Sequence, residues 1–154
     1  MGLHKAAQKQ DPGRGWYLAA AATAITFALQ LGGDEVREAL AYSREYLALG
    51  EFWRLATGHF VHLGWTHLLL NLAGLALVGW LVGPAYNWRE WLFITGISLA
   101  TIDAGFWFLY PELAWYVGLS GLLHGLLTAG LFPRLLARDR ESLVLVAFVA
   151  AKLV

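Results

Sequence analysis

Four apolar runs, set apart by glycine, proline and short clusters of charge, constrain this chain more than any other feature. They cover residues 16–31, 64–82, 91–110 and 119–133, and a fifth opens after Glu141 and is still apolar at Val154. A helix that crosses the hydrocarbon core needs about 20 apolar residues, or fewer with tilt and help from flanking side chains. Nothing in a soluble fold of 154 residues demands so many runs of this kind. The chain is 58% hydrophobic and 14% charged, against about 45–50% and about 25% in ordinary soluble domains. Eight tryptophans suit a protein that passes repeatedly through the water–lipid boundary. The expected fold is all-α: a polytopic bundle of membrane helices.

The same arithmetic excludes other classes. A net charge of zero argues against a nucleic-acid binder, and the apolar content excludes disorder. With no cysteine there is no disulfide, thiolate metal site or cysteine nucleophile.

Charge predicts the orientation. Lys5, Lys9 and Arg14 precede the first run, and Arg134, Arg138 and Arg140 follow the fourth. Both groups are expected in the cytoplasm, with four crossings between them. Residues 1–15 then form a cytoplasmic tail and residues 16–154 one membrane domain. A positive tail before an alanine-rich core also fits a cleaved signal peptide, but the later runs need the membrane anyway. Arg37, Arg44 and Arg54, in the loop after the first run, lie on the outer side in this scheme; residues 34–53 of that loop are mixed in composition and expected as an interfacial loop or amphipathic helix. Runs two and four both enter from outside. Residues 142–154 would rise only about 20 Å as a helix, short of a core of about 30 Å, so the fifth span is expected to be incomplete.

Small residues recur along the runs. Gly121 and Gly125 have the spacing that lets helix backbones approach closely, and Gly74, Gly79, Ala100 and Ala104 also put small groups on helix faces.

Polar side chains inside such runs are costly and ask for a reason. His67 and Asn71 are four apart, hence on one helical face; they are either interhelical packing contacts or two donors aimed at one point. Ser120 opens the fourth run between Gly118 and Gly121. It is either a helix N-cap or a nucleophile at a helix N-terminus, whose free N–H groups favour a developing oxyanion. Both sets lie within about two turns of the outer end, and that conjunction points to acyl transfer. His124, four residues after Ser120, shares its face and could act as a substitute base, line the substrate cavity or bond a neighbouring helix. Asp103 is expected to be protonated or paired with a histidine or tyrosine of another helix. His59, His62 and His67 lack the spacing of a helical zinc pair, so no metal and no cofactor is expected.

The string Trp53-Arg54-x2-Thr57-x4-His62-x4-His67-x3-Asn71, followed by Gly118-Leu119-Ser120-Gly121, resembles the rhomboid family of intramembrane serine proteases. The longer run from Trp115 to Gly125, with Gly58-His59-Phe60-Val61-His62, looks most like the rhombosortase subgroup. The likeness covers nearly all the chain from Glu51 onward. It implies a rhomboid-like bundle in which Ser120 attacks a peptide carbonyl while His67 and Asn71 help bind the oxyanion. Trp53 and Arg54 would belong to an external loop inserted in the membrane. The implied substrates are secreted proteins held in the lipid bilayer by a C-terminal sorting tag: a glycine-rich motif, a membrane helix and basic residues. The implied location is the bacterial inner membrane, with the site facing outward. In one respect the sequence departs from the family: the catalytic histidine of a sixth helix is missing, and no histidine follows His124. The expectation is a truncated version of a longer protein, inactive alone. The alternative is a non-catalytic rhomboid-like protein that binds transmembrane segments.

Overall fold

The computed structural model describes residues 14–137 and Val144. The expected fifth span apart from Val144, and most of the expected N-terminal tail, lie outside the described residues. Helix α1 (Arg14–Leu31) runs through the alanine-rich segment and starts two residues inside the expected tail. The chain then bends by 118° into the short charged helix α2 (Gly33–Leu40). A two-residue strand β1 (Tyr42–Ser43) and the short helices α3 (Arg44–Ala48) and α4 (Arg54–Thr57) follow. The mixed segment is therefore structured, and it holds a strand that its composition did not suggest.

The apolar runs form α5 (Trp65–Val82), α6 (Trp88–Phe108) and α7 (Ser120–Leu136), with strand β2 (Trp115–Tyr116) just before α7. By length and composition α5 with its following turn, and α6, are each sufficient to cross a membrane. Helix α7, with 17 residues, rises about 26 Å. Large apolar side chains point away from the bundle, with Leu70 69%, Trp80 70% and Phe93 69% exposed. An exposed apolar surface of this extent fits acyl chains rather than water. This is a membrane protein with an all-α bundle.

Two helix ends differ from the sequence reading by three residues. Helix α6 starts at Trp88 rather than Trp91, because the Asn87 side chain accepts from the Arg89 and Glu90 N–H groups while Glu90 accepts from the Asn87 N–H. This reciprocal cap satisfies donors that would otherwise be orphaned. Helix α7 passes through Pro133 instead of stopping there. Proline lacks the N–H that would bond the carbonyl four residues back. That carbonyl, Ala129 O, accepts instead from the Tyr86 hydroxyl at 3.1 Å.

Helix α7 packs against both α5 and α6. Leu75 meets Leu119, Leu122 and Leu123 in one core cluster, and Val78, Val82 and Trp91 meet Leu131 in a second. The Gly121/Gly125 face meets α6: a Cβ on Gly125 would lie 2.7 Å from Ser98 Oγ, and one on Gly121 3.3 Å from Ile102 Cδ1. A Cβ on Gly74 would meet Leu123, and one on Gly79 would meet Trp16.

One end of the bundle gathers most of the buried polar side chains: Arg54, His59, His62, Asn71 and Asp103. There β1 pairs antiparallel with β2, Tyr42 opposite Tyr116 and Ser43 opposite Trp115. The Gly118 N–H donates to Gly58 O at 3.1 Å, which brings the starts of α5 and α7 to the same side. Arg44 spans this end, donating to Phe106 O at 2.6 Å and to Trp107 O and Tyr110 O at 3.2 Å. A cation that fills the last carbonyls of α6 also complements the helix dipole. Arg54 is buried, bonded to Glu51, Glu38 O and Ala41 O, and so ties α2 to α4. Arg37 pairs with Asp34 and Glu38. All three arginines of this segment hold local structure.

Candidate active site

Ser120 is the first residue of α7 and is exposed. It does not cap the helix: Leu119 holds the N-cap position, and no side chain caps this end. The hydroxyl instead lies 3.2 Å from the Tyr116 hydroxyl. The Ser120 N–H has no hydrogen-bond partner among the described residues. A free hydroxyl beside a free N–H, at a helix N-terminus, is an arrangement suited to attack on a carbonyl.

His67 and Asn71 stand on one face of α5, near its start. The Leu63 N–H donates to His67 Nδ1 over a long 3.4 Å, so Nδ1 is the acceptor and the proton is on Nε2. One Asn71 Nδ2 hydrogen goes to His67 O at 3.1 Å, which leaves the other free. Both groups look toward Gly118. A Cβ on that residue would lie 2.8 Å from His67 Nε2 and 3.6 Å from Asn71 Nδ2. Gly118 has φ +111°, a conformation L side chains rarely adopt. The turn that presents Ser120 is thus open because glycine stands there, and two N–H donors border the opening.

His124 is exposed, and its Nδ1 lies 2.7 Å from Ser120 O. A carbonyl can only accept, so Nδ1 carries the proton, and the bond is to the backbone of its own helix rather than to Oγ. Gly121 donates its N–H to the Tyr116 hydroxyl at 3.2 Å.

A second polar group lies behind the site. His59 Nε2 is 3.2 Å from Asp103 Oδ1, which pairs Asp103 with a histidine of the loop before α5. His59 is fully buried and packs beside Tyr116, ring centroids 5.4 Å apart. Tyr42 is also buried; loss of solvation raises its pKa, and nearby Asp103 adds to this while Arg44 opposes it. His62 is 2% exposed, and neither ring nitrogen has a partner within hydrogen-bond geometry among the described residues. Burial, and then the neighbouring His67, push its pKa down to about 4, so it is neutral at pH 7. Among the described residues no group of three histidine or carboxylate side chains is placed to hold a metal ion.

The family model of the Rhomboid domain matches residues 49–154, a stretch that includes His67, Asn71, Gly118 and Ser120. The chain belongs to the rhomboid family. This rhomboid chain is also similar to Rhomboid-like protease 5 of Toxoplasma gondii, 37% identical over 83 residues. That match covers 52% of this chain but 9% of the relative, so the chain spans a small part of that protein's length.

Sequence reasoning placed His67, Asn71, Gly118 and Ser120 near one point, and the structure brings their elements to one end. It missed the Tyr116 hydroxyl, and it offered a histidine as one possible partner of Asp103 without singling out His59, which lies in the loop before α5 rather than on a neighbouring helix. The only signal for the first was a tyrosine four residues before the serine.

Proposed function

We propose that this chain is the core of an intramembrane serine endopeptidase. The observation that carries the reading is the opening at Gly118, bordered by His67 Nε2 and Asn71 Nδ2, two residues before an exposed serine at a helix start. Ser120 Oγ attacks the carbonyl carbon of a substrate helix unwound at the membrane boundary. The carbonyl π electrons move to oxygen, and that charge is met by the Ser120 N–H, His67 and Asn71. The Oγ proton passes to a base and then to the leaving amine as the C–N bond breaks. Water hydrolyses the acyl-enzyme and restores the serine hydroxyl.

The base is not among the described residues. Oγ is bonded to Tyr116, and His124 is turned to a carbonyl. This chain is therefore expected to show little or no turnover unless a base is brought to Oγ from outside the described residues.

The resemblance to rhombosortases supports a finer reading: substrates carrying a C-terminal glycine-rich sorting tag, and a bacterial inner membrane with the N-terminus cytoplasmic and the site facing outward. The second reading, a non-catalytic binder of transmembrane segments, draws on the lack of an imidazole at Oγ among the described residues. A serine-directed fluorophosphonate, applied to the protein in its native membrane, separates the two. Labelling that disappears in Ser120→Ala supports the protease. Full biological rescue by Ser120→Ala would overturn it in favour of the binder.

A further inference from the structure

The Tyr116 hydroxyl makes three contacts, all to the turn that carries Ser120: Gly118 O at 2.9 Å, the Gly121 N–H at 3.2 Å and Ser120 Oγ at 3.2 Å. The protons can be assigned. A phenol has one hydrogen and two acceptor sites. Gly118 O can only accept, so it takes the Tyr116 hydrogen. The Gly121 N–H can only donate, and it occupies one acceptor site on Oη. The remaining site receives the hydrogen of Ser120. The resting serine therefore points its proton at Tyr116 and has its Oγ rotamer fixed by that bond.

Tyr116 is itself held from several sides. It pairs with Tyr42 across the β1–β2 ladder, and Phe106 and His59 flank its ring at 4.7 Å and 5.4 Å between centroids. The buried Tyr42 hydroxyl, by contrast, has no partner among the described residues. The segment before α5 thus contacts the serine hydroxyl through the Tyr116 phenol, and the turn itself through the Gly58 carbonyl. An off-rotamer nucleophile at a helix start loses its approach line to the carbonyl, and small misplacements of reacting atoms are costly.

We infer that Tyr116 is a positioning residue, whose hydroxyl orients the Ser120 nucleophile by accepting its proton in the resting site while locking the Gly118–Gly121 turn. This rests on the serine-protease reading. It assigns the work to the hydroxyl and not to the ring, whose packing a phenylalanine would retain.

The test follows fluorophosphonate labelling of Ser120 against probe concentration, in the protein as its cell makes it, embedded in membrane. Tyr116→Phe should lower the maximal labelling rate roughly fivefold to tenfold, the range expected for one lost neutral hydrogen bond. The half-saturating probe concentration should stay unchanged. Tyr42→Phe, which removes a hydroxyl from the same ladder but touches nothing at the serine, should label like the wild type. Should Tyr116→Phe not accumulate folded, 4-aminophenylalanine at position 116 keeps a donor for Gly118 O but is a far poorer acceptor, and should slow labelling to a similar degree. A Tyr116→Phe or 4-aminophenylalanine protein that labels at the wild-type maximal rate overturns the inference, as does an equal loss in Tyr42→Phe. If the wild type takes up no probe, the serine-nucleophile reading itself fails and takes this inference with it.

Discussion

His59 and Asp103 meet across 44 positions of sequence, Nε2 to Oδ1 at 3.2 Å, in a place where His59 has no solvent exposure. The bond joins the loop before α5 to the last third of α6, beside the Tyr116 ring. His59 Nδ1 has no partner, so the carboxylate is the only hydrogen-bonding group this imidazole has among the described residues.

Removing one member is expected to cost more than removing both. Asp103→Leu leaves His59 with two unpartnered nitrogens in a buried site, a loss of about 1–3 kcal/mol. His59→Phe leaves a carboxyl without its partner and should cost a similar amount. The double variant replaces both polar groups by apolar ones and should recover much of the loss, since apolar replacement of a buried pair is often neutral or better. Thermal unfolding of the four proteins in detergent checks this. Strictly additive losses would show that the pair is not coupled.

Gly118→Ala tests the opening at the site. The residue sits at φ +111°, and the new methyl would come within 2.8 Å of the His67 ring. Backbone strain at such a position costs on the order of 1–3 kcal/mol, and the ring must move as well. We expect a lowered melting temperature and at least a tenfold loss of fluorophosphonate labelling at Ser120. An alanine variant that labels at the wild-type rate would mean the space is not used.

The bundle was legible because its signal is additive: long apolar runs survive any local detail. Helix ends were less so. The charged residues Arg89 and Glu90 displaced the expected start of α6 by one turn, although they belong to a cap. Pro133 displaced the expected end of α7, because the carbonyl it frees is satisfied by Tyr86, 43 residues away. In the site, the one-face spacing of His67 and Asn71 is a property of the helix and could be read directly. The contact between Tyr116 and Ser120 depends on a turn through a positive φ at Gly118, and the His59–Asp103 bond depends on packing between distant segments. Neither follows from spacing. The structural roles of Arg37, Arg44 and Arg54 could not be read from their charge. Each is bound to carbonyls or carboxylates of this end of the bundle.

The neutral state of His62 carries a pH dependence. Its folded pKa, about 4, lies below the ordinary value of 6.5, so between these values the unfolded chain binds a proton that the folded chain does not. Stability from this residue is complete above about pH 6.5 and is lost as pH falls toward 4. The wild type should melt progressively lower between pH 7 and pH 5. His62→Phe, which puts an apolar ring where neither nitrogen had a partner, should flatten that slope while keeping or raising stability at pH 7. An unchanged slope in the variant would place the titration elsewhere.

The oxyanion donors and His124 should separate cleanly in one series. His67→Ala and Asn71→Ala each remove a donor that borders the Gly118 opening without touching Oγ, and loss of one such donor typically lowers kcat by about 10²–10³. Because they serve the charge that develops on the carbonyl oxygen, the loss should fall on kcat more than on KM. The double variant should lose less than the product of the two, since both serve one oxygen. His124→Ala removes only a ring bonded to the Ser120 carbonyl and should keep turnover within a few-fold of wild type. These comparisons need peptide turnover by the protein in its native membrane, where the base is present. If His124→Ala abolished turnover and His67→Ala spared it, His124 would be the proton acceptor and the roles assigned to α5 would be wrong.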